Sequence, residues 1–149
     1  MRYIVSACLM GAKCKYNGGS NACKELSAYL KDHTFRCVCP EVLGGLPVPR
    51  ACVEIQNGRF INTDHEDVSD AFLAGADSAV ETALQFQADA AILQSRSPSC
   101  GVHIIYSGNF DGRLITGNGI FTQKLIEHKI PVYDVQEFIR EIQYEHQNK

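Results

Sequence analysis

Three cysteines that follow apolar runs are the residues of this 149-residue chain whose type and placement could do chemistry. Cys8 follows "RYIVSA", Cys39 ends "FRCVC" directly before Pro40, and Cys100 lies in the polar turn "SRSPSCG" after "AAILQ". A cysteine thiolate can bind a metal or act as a nucleophile. The question is whether the fold brings these three separated thiols to one place.

The elements around these cysteines predict an α/β fold. Short apolar runs with strand character, "RYIVSA", "FRCVC", "DAAILQ" and "IPVYD", alternate with segments of helical periodicity. This alternation predicts a single domain over residues 1–149, with a Rossmann-like three-layer fold and a mainly parallel sheet. Since ligands in such folds bind beyond the carboxyl ends of the strands, we expect Cys8, Cys39 and Cys100 to meet at one edge of the sheet.

Four helices are predicted between and after these strands. The first is capped by Ser20 or Asn21 and runs to about Asp32, and the last two are "IFTQKLIEHK" and "VQEFIREIQYEH". The clearest lies in "TDHEDVSDAFLAGADSAVETALQFQA", where Thr63 or Asp64 could act as the cap. Its apolar stripe consists of Val68, Phe72, Ala76, Val80 and Leu84, and it is widened by Ala71, Ala79 and Ala83. The segments "EVLGGLPVPR" and "GNFDGRLITGNG", rich in glycine and proline, are predicted to be loops.

Three converging thiolates suggest a metal site, and three interpretations remain open. Structural zinc sites and ferredoxin clusters commonly use paired C-x₂-C spacings, which are absent here. Three single cysteines could instead hold three irons of a cubane cluster and leave the fourth iron open. The alternatives are a zinc-bearing binding or regulatory module, and a metal-free enzyme with Cys100 as its nucleophile.

The other four cysteines give weaker indications of a functional role. Cys23 and Cys52 are more typical of small buried side chains, and Cys37, inside its strand, is predicted to be in the core. Cys14 lies in a Gly- and Asn-rich loop, where it could be a ligand, a resolving thiol or a spectator.

Three polar residues near these cysteines are candidates for a catalytic or binding role. Glu41 follows Cys39-Pro40, and is either a solvated loop residue or a general acid or base beside a metal. Ser97 either forms a turn with Pro98 or orients substrate or water. Arg50 could pair with a structural carboxylate or bind a substrate carbonyl. No G-x-S-x-G motif supports a serine triad.

Charge and hydropathy exclude several classes of partner. With 14 Lys and Arg against 17 Asp and Glu, the chain has no broad nucleic-acid-binding surface, so any contact with RNA would be local. No apolar run approaches the roughly 20 residues of a membrane span, and "MRYIVSACLMG" is interpreted as a strand rather than a signal peptide. Seven cysteines, an odd number, favour free thiols and a cytoplasmic location.

Four motifs together resemble a known family. The segments "VSACLMGAKCKYNGG", "CPEVLGGLPVPR", "SRSPSCG" and "YSGNFDGRLITGNGIFTQKL" are similar to those of small bacterial iron–sulfur proteins of the thiouracil desulfidase-like family. The resemblance implies a 4Fe-4S cluster held by Cys8, Cys39 and Cys100, whose open iron binds the sulfur of the substrate. It also implies Glu41 as the acid/base group and Ser97 as the assisting hydroxyl.

The activity implied by this resemblance is a non-redox, hydrolytic desulfuration of a thiolated uracil or a related thiolated nucleobase. Such a desulfidase acts on a carbon–sulfur bond and would be classed as a hydrolase or a lyase. Its substrate could be a free base, a nucleoside or a tRNA-derived molecule. Val48 and the pair Ala51-Cys52 depart from the common form of the motif, and they border the expected pocket, where they could alter the choice of substrate.

Overall fold

The computed structural model describes residues 1–147. The strands are β1 (Arg2–Ser6), β2 (Thr34–Val38), β3 (Val53–Gln56), β4 (Arg59–Asn62), β5 (Ala90–Leu93), β6 (Ile104–Tyr106), β7 (Leu114–Thr116) and β8 (Val132–Asp134). The α-helices are α1 (Lys24–Leu30), α2 (Pro40–Leu43), α3 (Ser69–Gln85), α4 (Ile120–Glu127) and α5 (Val135–Gln147), and a 3-10 helix spans Ala7–Met10.

Four strands form a parallel central sheet in the order β2-β1-β5-β8. The register pairs Val5 with Cys37 on one side and with Ile92 on the other, so β1, β2 and β5 end at the same edge. Every residue of β5 is buried, as expected for a strand covered on both faces. The predicted α/β fold with a mainly parallel sheet is confirmed.

Helices cover both faces of this sheet and make three layers. Alternate residues of β1 point to opposite faces: Ile4 packs in one core cluster with α3 and α4, and Val5 packs in the other with α1 and α5. Phe121 of α4 and Leu26 of α1 are among the fully buried side chains of these two clusters. No helix within residues 1–147 is long and apolar enough to cross a bilayer.

The segment "EVLGGLPVPR" is not entirely a loop, because α2 occupies its start. Cys39 is the N-cap of α2 and Pro40 takes the first helical turn, where its missing N–H costs nothing. Two glycines then let α2 lie directly on α3. A Cβ atom on Gly44 would overlap the carbonyl of Ala71, and one on Gly75 would overlap the carbonyl of Pro40.

Two antiparallel hairpins, β3–β4 and β6–β7, lie outside the central sheet. Strand β7 falls within "GNFDGRLITGNG", so the prediction of a loop there is wrong for Leu114–Thr116. The hairpins are joined by side chains. Oε1 of Glu54 accepts hydrogen bonds from the N–H groups of Gly108 (2.9 Å) and Phe110 (3.3 Å), and Nε2 of Gln56 donates to the Gly108 carbonyl at 2.5 Å.

Two helices begin later than their sequences predict. Helix α1 has Cys23 as its N-cap rather than Ser20 or Asn21, because the Asn21 and Cys23 N–H groups bond to carbonyls of the 3-10 helix. Helix α3 begins at Ser69 rather than after residue 63 or 64, because Asn62 organises a turn there. Its Oδ1 accepts the N–H groups of Asp64 (3.0 Å) and Glu66 (2.9 Å).

The apolar stripe of α3 is correct in its middle and wrong at its end. Phe72, Ala76 and Val80 are buried, whereas Leu84 is 47% exposed. An α-helix turns about 100° per residue, so positions spaced by four drift by about 40° at each step. By Leu84 the stripe has rotated away from the sheet, whereas Ala83, predicted to widen the stripe, is buried in the core.

Candidate active site

Three strand ends place the three predicted thiols around one cavity. Cys8 lies in the 3-10 helix after β1, Cys39 caps α2 after β2, and Cys100 lies in the turn after β5. All three line a cavity of about 580 Å³. The parallel sheet thus brings together residues separated by up to about 90 positions, as its topology predicts.

The turn that carries Cys100 is fixed by hydrogen bonds at each end. The Cys100 N–H donates to Oγ of Ser97 at 2.7 Å, and its carbonyl accepts from Oγ1 of Thr122 at 3.0 Å. Two glycines, one next to Cys100 in the turn and one packed against the turn before α4, leave no room for a side chain. A Cβ on Gly101 would lie 2.7 Å from the Ser97 carbonyl oxygen, and one on Gly119 would lie 2.7 Å from the Cys100 nitrogen.

Burial makes the thiols of Cys8 and Cys100 poor acids in the absence of a positive partner. Burial raises the pKa of the Cys100 thiol to about 12 and also raises the pKa of Cys8. Cys100 is 5% exposed and Cys8 is 9% exposed. Buried thiols around a cavity form a soft donor set, and cationic iron bound there would favour their thiolate forms. The donor set therefore fits an iron–sulfur cluster.

Cys14 is a fourth thiol on the wall of the same cavity. The Cys39 thiol donates to the Cys14 carbonyl oxygen at 3.9 Å, so these two residues are neighbours. Burial, followed by the charge of Cys39, raises the pKa of the Cys14 thiol to about 12. Of the possibilities open from the sequence, the structure favours a residue of the site over a distant spectator.

The thiols line the cavity but do not converge on a single point. Within residues 1–147, no three Cys, His, Asp or Glu side chains lie close enough together to hold one metal ion. A zinc ion would require its ligands at about 2.0–2.3 Å from a single centre. The ligands of a cubane bind different corners of a larger group, so they stand further apart. The three thiols are therefore not arranged as ligands of a single metal ion.

The remaining cysteines differ from their predicted burial. Cys37 is exposed on the edge strand β2, where only Val38 is buried, so its assignment to the core is wrong. Cys23 and Cys52 are half-buried; Cys23 donates to Glu25 at 3.5 Å, and Cys52 lines the cavity. All seven cysteines are free thiols, as predicted from their odd number.

Glu41 is held in the cavity wall by two partners and is not a solvated loop residue. Its Oε1 forms an ion pair of 3.1 Å with Nε of Arg50, and the two side chains are 14% and 6% exposed, respectively. Its Oε2 accepts a hydrogen bond of 2.9 Å from Oγ of Ser99. Arg50 therefore pairs with a carboxylate, and it also donates to the Cys14 carbonyl at 2.9 Å.

Ser97 and Ser99 have different positions in the turn. Ser97 accepts the Cys100 N–H, which confirms its part in a serine turn, and its hydroxyl also lines the cavity. Ser99, which contacts Glu41, was missed from the sequence. Its only signal there is its place between Pro98 and Cys100, and that place does not show which way the hydroxyl points. The two hydroxyl oxygens are 3.4 Å apart.

The two hairpins supply the outer wall of the cavity. Tyr106 and Phe110 come from the second hairpin and its turn, and Tyr16 comes from the loop after Cys14. Tyr16 interacts with the Cys52 thiol beside it. Aromatic side chains in the lining of this cavity suit a flat ring.

A parallel α/β domain with buried thiols and a paired glutamate on one cavity defines an enzyme able to hold an iron–sulfur cluster. Residues 3–137 match the model of the 2-thiouracil desulfurase family, and the chain belongs to that family. The predicted family is confirmed, and with it the prediction of an enzyme that acts on the carbon–sulfur bond of thiouracil.

A solved structure and a bacterial relative support this assignment. The chain is similar to a structure described as the [4Fe-4S]-dependent thiouracil desulfidase TudS, with a TM-score of 0.86, 36% identity and 91% of each chain covered. It is also 35% identical over 127 residues to the uncharacterized protein YbbK of Bacillus subtilis (strain 168), covering 78% of this chain and 84% of that protein.

Proposed function

We propose that this chain is a [4Fe-4S]-dependent desulfidase that hydrolyses the carbon–sulfur bond of a thiolated uracil without net redox change. The observation that carries the proposal is the placement of Cys8, Cys39 and Cys100, from three parallel strand ends, on one cavity with Glu41. The family match and the cofactor stated for TudS support the same chemistry.

The three strand-end thiols would hold the cluster. Three thiolates for four irons would leave one iron without a cysteine ligand. When bound, the cluster supplies a Lewis-acidic iron at which a soft thiocarbonyl sulfur can be polarised. Cys14, as the neighbour of Cys39, is proposed to line the site without being required as a ligand.

Glu41 is proposed to move the proton of the attacking water. The reaction converts C=S and water into C=O and hydrogen sulfide, and it balances without an electron donor or acceptor. The protein must therefore supply only proton transfer and orientation. The Glu41 carboxylate faces the cavity and retains acceptor positions beyond those used by Arg50 and Ser99. General-base catalysis by such a group contributes about 10²–10⁴ in rate.

Ser97 is proposed to orient the water or the substrate. Its oxygen accepts the Cys100 N–H at 2.7 Å, and its second lone pair remains available to accept a hydrogen bond from water or from an N–H of the substrate. Ser97 lines the same cavity as Cys100, which supports this role.

The substrate is proposed to be a small molecule, a free thiolated base or its nucleoside. A cavity of about 580 Å³ with aromatic side chains on its outer wall accommodates a pyrimidine ring. The net charge of -3 gives no broad surface for a polyanion, so a tRNA-derived substrate is the less favoured form. Desulfuration of a tRNA-derived substrate at the rate measured for the free base would contradict the proposed preference for a small molecule.

A cytoplasmic location and a single catalytic domain complete the proposal. Seven free cysteines suit a reducing compartment, since oxidising compartments favour disulfides. The cavity draws its lining from residue 6 to residue 112, so most of the chain contributes to one site.

Metal analysis of matched cysteine variants tests the proposal. After anaerobic reconstitution we expect about four irons and four sulfides per chain, and conversion of 2-thiouracil to uracil and sulfide. Cys100→Ala should lose both cluster and activity, whereas Cys37→Ala, on an exposed edge-strand site, should retain both. Protein that binds tight zinc instead, or that is active without iron, would contradict the proposal.

A further inference from the structure

Both oxygens of the Glu41 carboxylate are engaged from the protein side, and no motif predicted this arrangement. Arg50 approaches Oε1 through its Nε at 3.1 Å, and Ser99 approaches Oε2 through its hydroxyl at 2.9 Å. The three residues come from α2, from the loop before β3 and from the turn after β5. We refer to Arg50, Glu41 and Ser99 as the Glu41 fork.

We propose that Arg50 and Ser99 are positioning residues that fix the Glu41 carboxylate in the orientation needed for proton transfer. This inference rests on the proposed role of Glu41. A carboxylate has about four acceptor positions, and the fork occupies two of them. Because Glu41 also lines the cavity, the remaining positions are available there for water or for an N–H of the substrate.

Arg50 is suited to this role because its guanidinium is itself anchored. It donates to the carbonyl oxygens of Cys14 at 2.9 Å and Pro47 at 3.3 Å, and its side chain is 6% exposed. A guanidinium held by these two carbonyl oxygens does not follow the carboxylate if Glu41 rotates. Lysine, a flexible point charge, reproduces the charge of arginine but only part of this geometry.

Ser99 is suited because it joins Glu41 to Ser97. Ser97 Oγ already accepts the Cys100 N–H, so its own proton can point to Ser99 Oγ at 3.4 Å, while Ser99 donates to Glu41. Ser99 is 2% exposed, so solvent competes little for its hydroxyl. The hydrogen bonds of the Glu41 fork therefore connect Glu41 with Ser97, the other residue proposed to act on water or substrate.

Steady-state kinetics on cluster-loaded variants test this inference. For Ser99→Ala and Arg50→Met we expect kcat on 2-thiouracil to fall by about tenfold or more, with KM within about twofold and iron content unchanged. Arg50→Lys should recover part of the kcat lost in Arg50→Met. The matched control is Arg59→Met, which breaks an exposed arginine–aspartate pair and should leave kcat unchanged.

Each outcome separates the fork from the proposed function. Wild-type kcat in Ser99→Ala with full iron overturns the role of Ser99, and a loss of iron parallel to the loss of kcat in Arg50→Met shows a structural role for Arg50. Ser99→Ala, the smaller change, still tests the fork if Arg50→Met fails to fold. Wild-type kcat in cluster-loaded Glu41→Gln would overturn the proposed role of Glu41 itself.

Discussion

The hydroxyl of Ser99 donates a hydrogen bond of 2.9 Å to Oε2 of Glu41, although 58 positions separate the two residues. Ser99 precedes Cys100, and Glu41 lies two residues after Cys39, so this bond links two of the three cysteine-bearing strand ends. The cavity therefore has a polar connection between its thiol-bearing segments.

Loss of Cys39 and loss of Cys14 should have different effects. If Cys39 is a ligand and Cys14 is only its neighbour, Cys39→Ala should abolish the absorbance of the reconstituted cluster, and Cys14→Ala should retain most of its iron. The measurement is iron and sulfide per chain with the visible spectrum of both variants. Equal loss of iron in the two would make Cys14 a ligand and contradict the proposed set of three.

Gly75→Ala should destabilise the protein despite its place within a helix. Helix propensity alone predicts a gain of about 1 kcal/mol. A Cβ there would instead overlap the Pro40 carbonyl and lie 2.9 Å from the Gly44 nitrogen, so we expect a loss of about 1–3 kcal/mol. Denaturant unfolding gives the sign, and a more stable variant would contradict the close packing of α2 on α3.

Glu54→Gln should weaken substrate binding more than it slows turnover. Oε1 of Glu54 holds the Gly108 and Phe110 N–H groups, and with them the turn that brings Phe110 to the outer wall. Because a neutral amide accepts these bonds more weakly, we expect KM to rise by about two- to tenfold with kcat nearly unchanged. Steady-state kinetics on 2-thiouracil measure both. A fall in kcat alone would argue against this role for the hairpin contact.

Ser97→Ala should affect both stability and turnover. Loss of the bond to the Cys100 N–H costs about 1 kcal/mol in the free energy of unfolding, measured on cluster-free protein. Loss of the hydroxyl should also lower kcat by about tenfold or more in protein loaded with iron. The control is Ser107→Ala, which removes a half-buried serine of the second hairpin whose hydroxyl donates to Asp111. A variant with normal kcat would reduce Ser97 to a turn residue.

Much of the fold could be predicted because its signals are local. The apolar runs at Arg2–Ser6 and Ala90–Leu93 become strands of the central sheet, and a parallel sheet then places the residues after them at one edge. The hairpins were harder to predict. All three residues of Leu114–Thr116 are exposed, and the pairing of this strand with Ile104–Tyr106 depends on contacts outside the segment.

The thiols and the glutamate of the site could be predicted from the sequence, but the hydrogen bonds that connect Glu41 to its partners could not. Cysteines next to proline or glycine at strand ends are visible in the sequence, and so is the acidic residue after Cys39-Pro40. The partners of Glu41 are set by the approach of distant segments, so the sequence does not show that Ser99 contacts it. The exposure of Cys37 has a similar cause, because β2 lies at the edge of the sheet.

Turnover of 2-thiouracil in ¹⁸O-labelled water, with cluster-loaded protein and no added oxidant or reductant, tests the central claim most directly. Hydrolytic, non-redox desulfuration predicts uracil that carries one ¹⁸O atom, with one sulfide released for each uracil formed. Cluster-free Cys100→Ala should give no product under the same conditions. Unlabelled uracil, or a reaction that proceeds only when a reductant is supplied, would contradict the account.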